Sequence, residues 1–145
     1  MMMGLDDFGR LTAGLLGLKA WNAVVGDNRS VTVDFGEQLV DDPPSGEYHL
    51  WLCGCSWRLE RGASMVVGCA DGEARVQDGV ALLNGQRLLG IEVDPVSLSA
   101  VFRLTGRLVV RTFSIFSKEA EHWVLRLPDE RWIVAGPGWT MAAES

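Results

Sequence analysis

The chain has 145 residues, of which 48% are hydrophobic and 22% charged, and its formal net charge at pH 7 is −6. This length predicts one domain, residues 1–145, and the hydrophobic share excludes a disordered chain, which would combine low hydrophobicity with high charge. Nineteen acidic residues against thirteen basic ones argue against a protein that binds the phosphates of nucleic acids.

Several features favour a cytoplasmic bacterial protein that does not insert into a membrane. No apolar run reaches the eighteen or so residues of a membrane span. The apolar segment 11–18 resembles a short signal sequence, but Asp6 and Asp7 lie where such a signal needs positive charge. The three cysteines are an odd number and imply no disulfide framework. Arginine accounts for most of the basic residues, which is typical of GC-rich bacterial genomes.

The first elements along the chain are predicted to be a helix and a β-hairpin. Apolar residues between Leu5 and Lys19 fall on one helical face, although four glycines weaken this helix. Residues 21–25 and 31–35 alternate between apolar and polar on either side of a turn signal at 26–28, which predicts the hairpin.

Residues 41–46 are predicted to be a long loop, because Pro43 and Pro44 cannot occupy a central strand. A strand is then predicted over residues 48–59, and a hairpin through 60–62 leads to another strand at 64–69. Alternate residues of the long strand are expected to share one face: Trp51, Cys53, Cys55, Trp57 and Leu59.

The second half is predicted to be a short helix followed by a meander of strands. The helix covers residues 73–83, with Val76, Val80 and Leu83 on one side. A two-residue turn at Thr105-Gly106 would pair Phe102 with Val109 and leave this hairpin apolar on both faces. Such a hairpin has to be covered on both faces. The five predicted strands are 88–93, 97–104, 107–116, 121–127 and 131–135.

These elements predict an α+β fold of mostly antiparallel hairpins and meander. The expected arrangement is barrel-like or two-layer, with an N-terminal helix and a short middle helix. Matches at an offset of 67, such as Asp27 with Asp94 and Phe35 with Phe102, suggest an internal duplication of about 15–70 and 82–138.

A metal-site hypothesis rests on His49, Cys53, Cys55 and Cys69. On a continuous strand, positions 49, 53 and 55 point to the same side, and thiolates with one imidazole suit Zn²⁺. The spacing differs from the usual zinc knuckles, and free cysteine commonly packs as a small apolar side chain. We therefore favour packing and assign no metal.

Candidate binding residues occur near the C-terminus. Glu119, Glu121 and His122 could form an acid–base group, or they could be a solvated connector before an apolar strand. Trp139 follows a Gly-Pro-Gly turn and could anchor a partner or fold back onto its own domain. No nucleotide-binding or metalloprotease motif is present, so the sequence supports no catalytic residue and no cofactor and favours a protein without enzymatic activity.

Residues 78–138 resemble a family of small bacterial proteins of unknown function. Shared features are the helix end Leu82-Leu83-Asn84-Gly85, Glu121 with Trp123, and the turns at 127–129 and 136–138. Trp139 departs from the pattern, in which another glycine is expected. Some members of this broad class look like immunity proteins encoded beside polymorphic toxins. The resemblance implies a protein-binding role and transfers no catalytic residue.

Three hypotheses follow from the sequence. The first is a non-enzymatic binding protein that masks a basic partner; it predicts an acidic, aromatic-rimmed surface and no deep pocket. The second is a ligand-binding or enzymatic barrel, with a closed pocket in which Arg103, Glu121 and His122 converge. The third is a homodimer whose interface is an apolar sheet face.

Overall fold

The computed structural model describes residues 3–138 and 140–144, and the elements in these ranges are two helices, two short 3₁₀ turns and eleven strands. The helices are α1 (Leu5–Thr12) and α2 (Glu73–Ala81), and the 3₁₀ turns are Ala13–Leu15 and Asp27–Arg29. The strands are β1 (Ala20–Val25), β2 (Val31–Asp41), β3 (Pro44–Leu52), β4 (Cys55–Arg61), β5 (Ser64–Gly68), β6 (Leu88–Val93), β7 (Ala100–Leu104), β8 (Leu108–Ser114), β9 (Trp123–Arg126), β10 (Trp132–Ala135) and β11 (Met141–Glu144).

The strands form two antiparallel sheets. The six-stranded sheet has the order β1-β2-β3-β9-β10-β11, and the five-stranded sheet has the order β5-β4-β8-β7-β6. Main-chain hydrogen bonds between residues 17–20 and 85–88 join the edge at β1 to the edge at β6, for example from Ala20 N to Gln86 O (2.7 Å). The α+β, two-layer class with an N-terminal and a middle helix is therefore confirmed.

One hydrophobic cluster fills the space between the sheets. Trp123 is fully buried within it, and the rings of Phe8 and Phe102 meet the Trp123 ring edge-on at 5.8 and 6.2 Å. Its indole N–H donates to Leu98 O at 2.9 Å, which satisfies the polar end of the buried ring. Phe8 carries α1 to this centre, so the N-terminal helix is held by the same aromatic group as the sheets.

The middle helix follows its prediction closely. Val76, Val80 and Leu83 are all buried, as their helical spacing predicts. The N-terminal helix is shorter than the predicted 5–19, because its α-helical part ends at Thr12 and Gly17 adopts a left-handed φ of +89°. The predicted loop at 41–46 is also shorter. Asp41 pairs with Pro44, which is accommodated as the first residue of β3.

The single long strand predicted over 48–59 was wrong. The chain bends at Cys53-Gly54, so β3 belongs to the six-stranded sheet and β4 to the five-stranded sheet. The bend also reverses the alternation. Leu50 and Leu52 face the core before it, Trp57 and Leu59 face the core after it, and Trp51 is exposed.

The register predicted for the Thr105-Gly106 hairpin was wrong by one residue. Phe102 pairs with Val110 instead of Val109, because Arg107 takes a left-handed φ of +61° and joins the turn. A one-residue slip exchanges the two faces of a strand. Phe102 and Val110 now face the core, and Arg103 and Val109 face outward, so the outward face mixes charged and apolar side chains instead of being apolar throughout.

The later meander is divided between the sheets, with β6–β8 in one and β9–β11 in the other. Strand β11 was not predicted. In each half a helix precedes three strands that are neighbours in one sheet, α1 before β1–β3 and α2 before β6–β8. The predicted duplication of about 15–70 and 82–138 begins after each of these helices, and it stays a prediction.

We predict that Gly54→Ala destabilises the fold strongly. A Cβ at this position would lie 2.1 Å from Glu121 O, a backbone atom that cannot rotate away. The expected loss is about 1–3 kcal/mol of unfolding free energy or more, as for overpacked sites. Urea unfolding measures it. The control is Gly90→Ala, whose Cβ meets nothing within 4 Å; equal effects of both substitutions would contradict the steric explanation.

Candidate functional site

Asp34 is the centre of a polar cluster on the outer side of the six-stranded sheet. Its carboxylate is only 1% exposed, and Oδ1 accepts hydrogen bonds from Gly46 N (2.9 Å) and Ser45 Oγ (3.1 Å). His49 Nδ1 lies 2.9 Å from the same oxygen. The Arg126 guanidinium donates to Ser45 Oγ and Gly46 O, so the cluster ties the β2–β3 hairpin to β9.

The surroundings of Asp34 act on its pKa in opposite directions. Burial raises it, but hydrogen bonds from His49, Gly46 and Ser45, together with the charge of His49, outweigh burial and hold the pKa of Asp34 below its usual range. The carboxylate is therefore ionised at neutral pH. Its acceptor sites are occupied by the protein itself, which makes it an anchor for the hairpin.

An open groove of about 700 Å³ lies next to this cluster. Its floor is formed by Trp51 and Val134, which share the outer face of the sheet through Val124 between them. Trp51 is 42% exposed, a large amount for an indole in a sheet. The other lining residues come from the β3–β4 bend, the β8–β9 loop, the β10–β11 turn and β11: Cys53, Gly54, Phe116, Glu119, Ala120, Glu121, Gly136, Pro137 and Glu144.

The groove is acidic. Among the described residues that line it, three are glutamates (Glu119, Glu121 and Glu144) and none is lysine or arginine. Burial, and next the negative charge of Glu121, raise the pKa of the Cys53 thiol. This thiol is protonated at neutral pH and lacks the thiolate character of a nucleophile.

An apolar ridge of Val96, Ile115 and Phe116 continues from the groove. Phe116 lines both this groove and a neighbouring one of about 500 Å³, in which Val96 and Ile115 also lie. Val96 is 75% exposed and Ile115 57% exposed. Ser114 Oγ donates to Ser97 O (2.7 Å) and holds the two loops together. Contiguous apolar surface with a polar rim is typical of a protein-interaction site.

The structure separates the metal candidates. His49 points to Asp34 on the outer side of β3, Cys53 lines the groove, and Cys55 and Cys69 pack against the core. Burial, with the charges of Cys53 and Cys69, raises the pKa of Cys55 to about 12. Within residues 3–138 and 140–144, no three His, Cys, Asp or Glu side chains are grouped to hold a metal ion. The expectation that 49, 53 and 55 point to one side was wrong, because the bend at Gly54 intervenes.

The convergence predicted for Arg103, Glu121 and His122 does not occur. Arg103 lies on the outer face of the five-stranded sheet and pairs with Glu92, with Nε 3.0 Å from Oε1. Glu121 lines the groove, and its role in binding stays a prediction. His122 is 1% exposed, and its Nε2 lies 2.8 Å from Gly138 O, so it supports the β10–β11 turn from beneath the surface. The prediction for Trp139 lies outside the described residues.

The core contains a cavity of about 20 Å³ lined only by apolar side chains, including Leu50, Trp57 and Phe102. This space holds about one water-sized sphere and offers no polar partner. It has no room for a ligand such as the barrel hypothesis requires.

Sequence reasoning named three residues that line the groove, Glu119 and Glu121 as an acid–base pair and Cys53 as a metal candidate, and it did not single out the others. Trp51 was expected on the same strand face as the buried Trp57, and Glu144 lies on the unpredicted β11. Asp34 could have been suspected, because it is a carboxylate placed among the apolar residues of β2.

Comparisons with models of protein families, with curated proteins and with solved structures found no match. The resemblance over residues 78–138 therefore stays a prediction. Across the described ranges, neither helix has the length and apolar character needed to cross a bilayer.

We predict that Asp34→Asn lowers the unfolding free energy at pH 7 by about 1–3 kcal/mol, the range for a buried group that loses its partner. Because the folded-state pKa of Asp34 is lowered, its contribution is complete above its ordinary value of 3.8 and is lost as pH falls through the folded-state pKa.

The difference between the wild type and Asp34→Asn should therefore shrink as the pH falls below about 4. Urea unfolding at a series of pH values measures it. Asp42→Asn, at an exposed position, is the control and should have little effect. A difference that stays constant or grows toward acid pH would contradict the assignment.

Proposed function

We propose that this chain is a non-enzymatic binding protein that holds a basic partner protein in the acidic groove. The observation that carries the proposal is the exposed Trp51 indole beside Glu119, Glu121 and Glu144 in one groove. Tryptophan is a frequent anchor of protein interfaces, and the exposed part of the Trp51 side chain does not pack in the core.

The groove suits a lysine or arginine side chain. A cation over an indole face gains about 0.5–2 kcal/mol, more as water is excluded. The aliphatic stem of the same side chain would lie against Val134 and Phe116, while the carboxylates neutralise its charge. The combination favours a cationic side chain over an anionic or purely apolar one.

The apolar ridge of Val96, Ile115 and Phe116 extends this surface beyond the size of one side chain. A partner that inserts a basic residue at Trp51 could cover the ridge with neighbouring apolar residues. This arrangement of a central aromatic anchor, surrounding apolar contacts and a charged rim is typical of protein interfaces. It supports a folded partner rather than a free metabolite.

An immunity-like role is the specific form that we propose, in which the protein covers a basic surface such as that of a nuclease toxin. A net charge of −6 would accelerate encounter with such a partner through electrostatic steering. Cys53, Cys55 and Cys69 are all free thiols, which suits the reducing cytoplasm that we propose as its location.

The test first captures the partner and then measures how substitutions in the groove change its affinity. Immobilised wild-type protein is exposed to extract of the source organism, and proteins eluted by salt are identified by mass spectrometry. A stoichiometric basic protein is expected. The affinity of the purified partner is then measured by calorimetry with Trp51→Ala, which should weaken binding at least about tenfold.

A charge-matched pair of variants makes the result specific. Replacing Glu119, Glu121 and Glu144 by glutamine should weaken binding and flatten its salt dependence. Replacing Glu37, Asp42 and Glu130, which are exposed elsewhere, by their amides removes the same charge and should have a much smaller effect. Equal effects of the two triple variants, or an absence of any salt-eluted basic partner, would overturn the proposal.

A further inference from the structure

The outward side of the five-stranded sheet is a second surface with its own chemistry. Two cross-strand rows define it, one through Arg58, Arg111 and Val101 and the other through Glu60, Val109 and Arg103. Together with Glu92 and Phe113, these side chains form what we call the arginine face.

The charged side chains of the arginine face are held in place by one another. Glu60 accepts hydrogen bonds from Arg58 Nε (2.6 Å) and Arg111 Nε (3.0 Å). Burial raises the pKa of Glu60, but the two arginines outweigh it and keep the pKa below its usual range. Arg103 pairs with Glu92. These arginines already have partners within the chain, so an interface would lose less conformational freedom in ordering them.

Apolar groups lie between these charges. Phe113 is 42% exposed, and the guanidinium carbon of Arg58 lies 5.4 Å from the centre of its ring. Val101 and Val109 are half-buried at the centre of the two rows, and Met65 is exposed at the β5 edge. Arginine, phenylalanine and methionine are enriched in interface cores, from which lysine is depleted, and the arginine face contains no lysine.

The charge of the arginine face differs from that of the rest of the molecule. Three arginines and two glutamates give the face a charge of +1, whereas the whole chain carries −6, so the remaining surface carries −7. Two copies of this protein therefore repel each other at most orientations. An approach through the arginine face avoids close contact between unpaired acidic side chains, because both of its glutamates are paired with arginine.

We propose that the arginine face is the interface of a symmetric homodimer, in which the same face of a second copy packs against it. A two-fold interface has to be self-complementary. The face meets this condition because each of its arginines is already paired with a glutamate of its own copy, so the two faces would meet without an unpaired charge. Val101, Val109 and Phe113 supply the apolar centre that water would leave.

This inference is independent of the proposed function, because Trp51 and its groove lie on the outer side of the other sheet. The groove at Trp51 in each copy therefore lies away from this interface. A dimer would carry two partner sites, and loss of the dimer would leave each groove intact.

The test is the mass of the full chain in solution. Analytical ultracentrifugation from about 1 to about 100 µM should give twice the 15.8 kDa chain mass at the upper concentrations, with dissociation on dilution. Phe113→Glu and Val101→Glu place a carboxylate beside Arg58 and Arg111 respectively, so the added charge would have an opposite charge near it in the monomer. Each should shift the dimer dissociation constant at least about a hundredfold, because a charge would be buried in the interface.

The matched control is Val24→Glu, which adds the same charge at an exposed position of β1 and should leave the dimer intact. Circular dichroism checks that all variants are folded. A wild-type mass equal to one chain across the whole range overturns the proposal. So does a dimer that Phe113→Glu and Val101→Glu leave unchanged, or a mass that keeps growing with concentration instead of stopping at two chains.

Discussion

The backbone at Gly54 approaches the carbonyl oxygen of Glu121 so closely that no side chain fits between them. This contact lets the chain leave β3, bend, and enter β4 on the opposite layer. Gly54 N donates to His122 O at 3.0 Å, which fixes the bend to the start of β9. Because β3 pairs with β9 and β4 pairs with β8, the bend determines how the two sheets are placed around the core.

The same contact builds the groove. His122 is hydrogen-bonded to β10 and to the β10–β11 turn as well as to the bend. Its N–H donates to Ala135 O at the end of β10 (2.7 Å), and its Nε2 lies 2.8 Å from Gly138 O in the turn. The bend, the β8–β9 loop and the β10–β11 turn are thus held by one residue. Glu121 is directed to the surface as a consequence, because its neighbour His122 is buried. The position of Glu121 in the acidic wall therefore depends on the close approach of Gly54 to Glu121 O.

Local sequence patterns predicted the local structure correctly. The errors occurred where contacts between residues far apart in the sequence determine the path of the backbone. Helix α2 was predictable because its buried face is defined by three residues within about two turns of helix, Val76, Val80 and Leu83. The alternation from Trp51 to Leu59 gave no sign of a bend. A glycine is needed at position 54 because the backbone of Glu121 lies against it, and Glu121 is 67 positions later in the sequence.

The hairpin at 105–107 failed for a different reason. Gly106 indicated a two-residue turn. Arg107 also adopts a left-handed backbone conformation, which residues other than glycine rarely take. Of the groove, the sequence singled out Cys53, Glu119 and Glu121. Phe116 and Glu144 reach it through loops and an edge strand whose positions depend on the completed sheets.

The ion pairs within the arginine face affect which cationic side chains can bind in the acidic groove. A groove with three glutamates could attract the arginines of another copy, and such head-to-tail contacts would propagate into chains. Arg58 and Arg111 already share Glu60, and Arg103 already pairs with Glu92. Moving one of them to a foreign carboxylate would exchange one ion pair for another, with little net gain. A lysine or arginine that is unpaired on a different protein gives up no such partner when it enters. The pairing within the arginine face therefore favours foreign cations over the protein's own in the acidic groove.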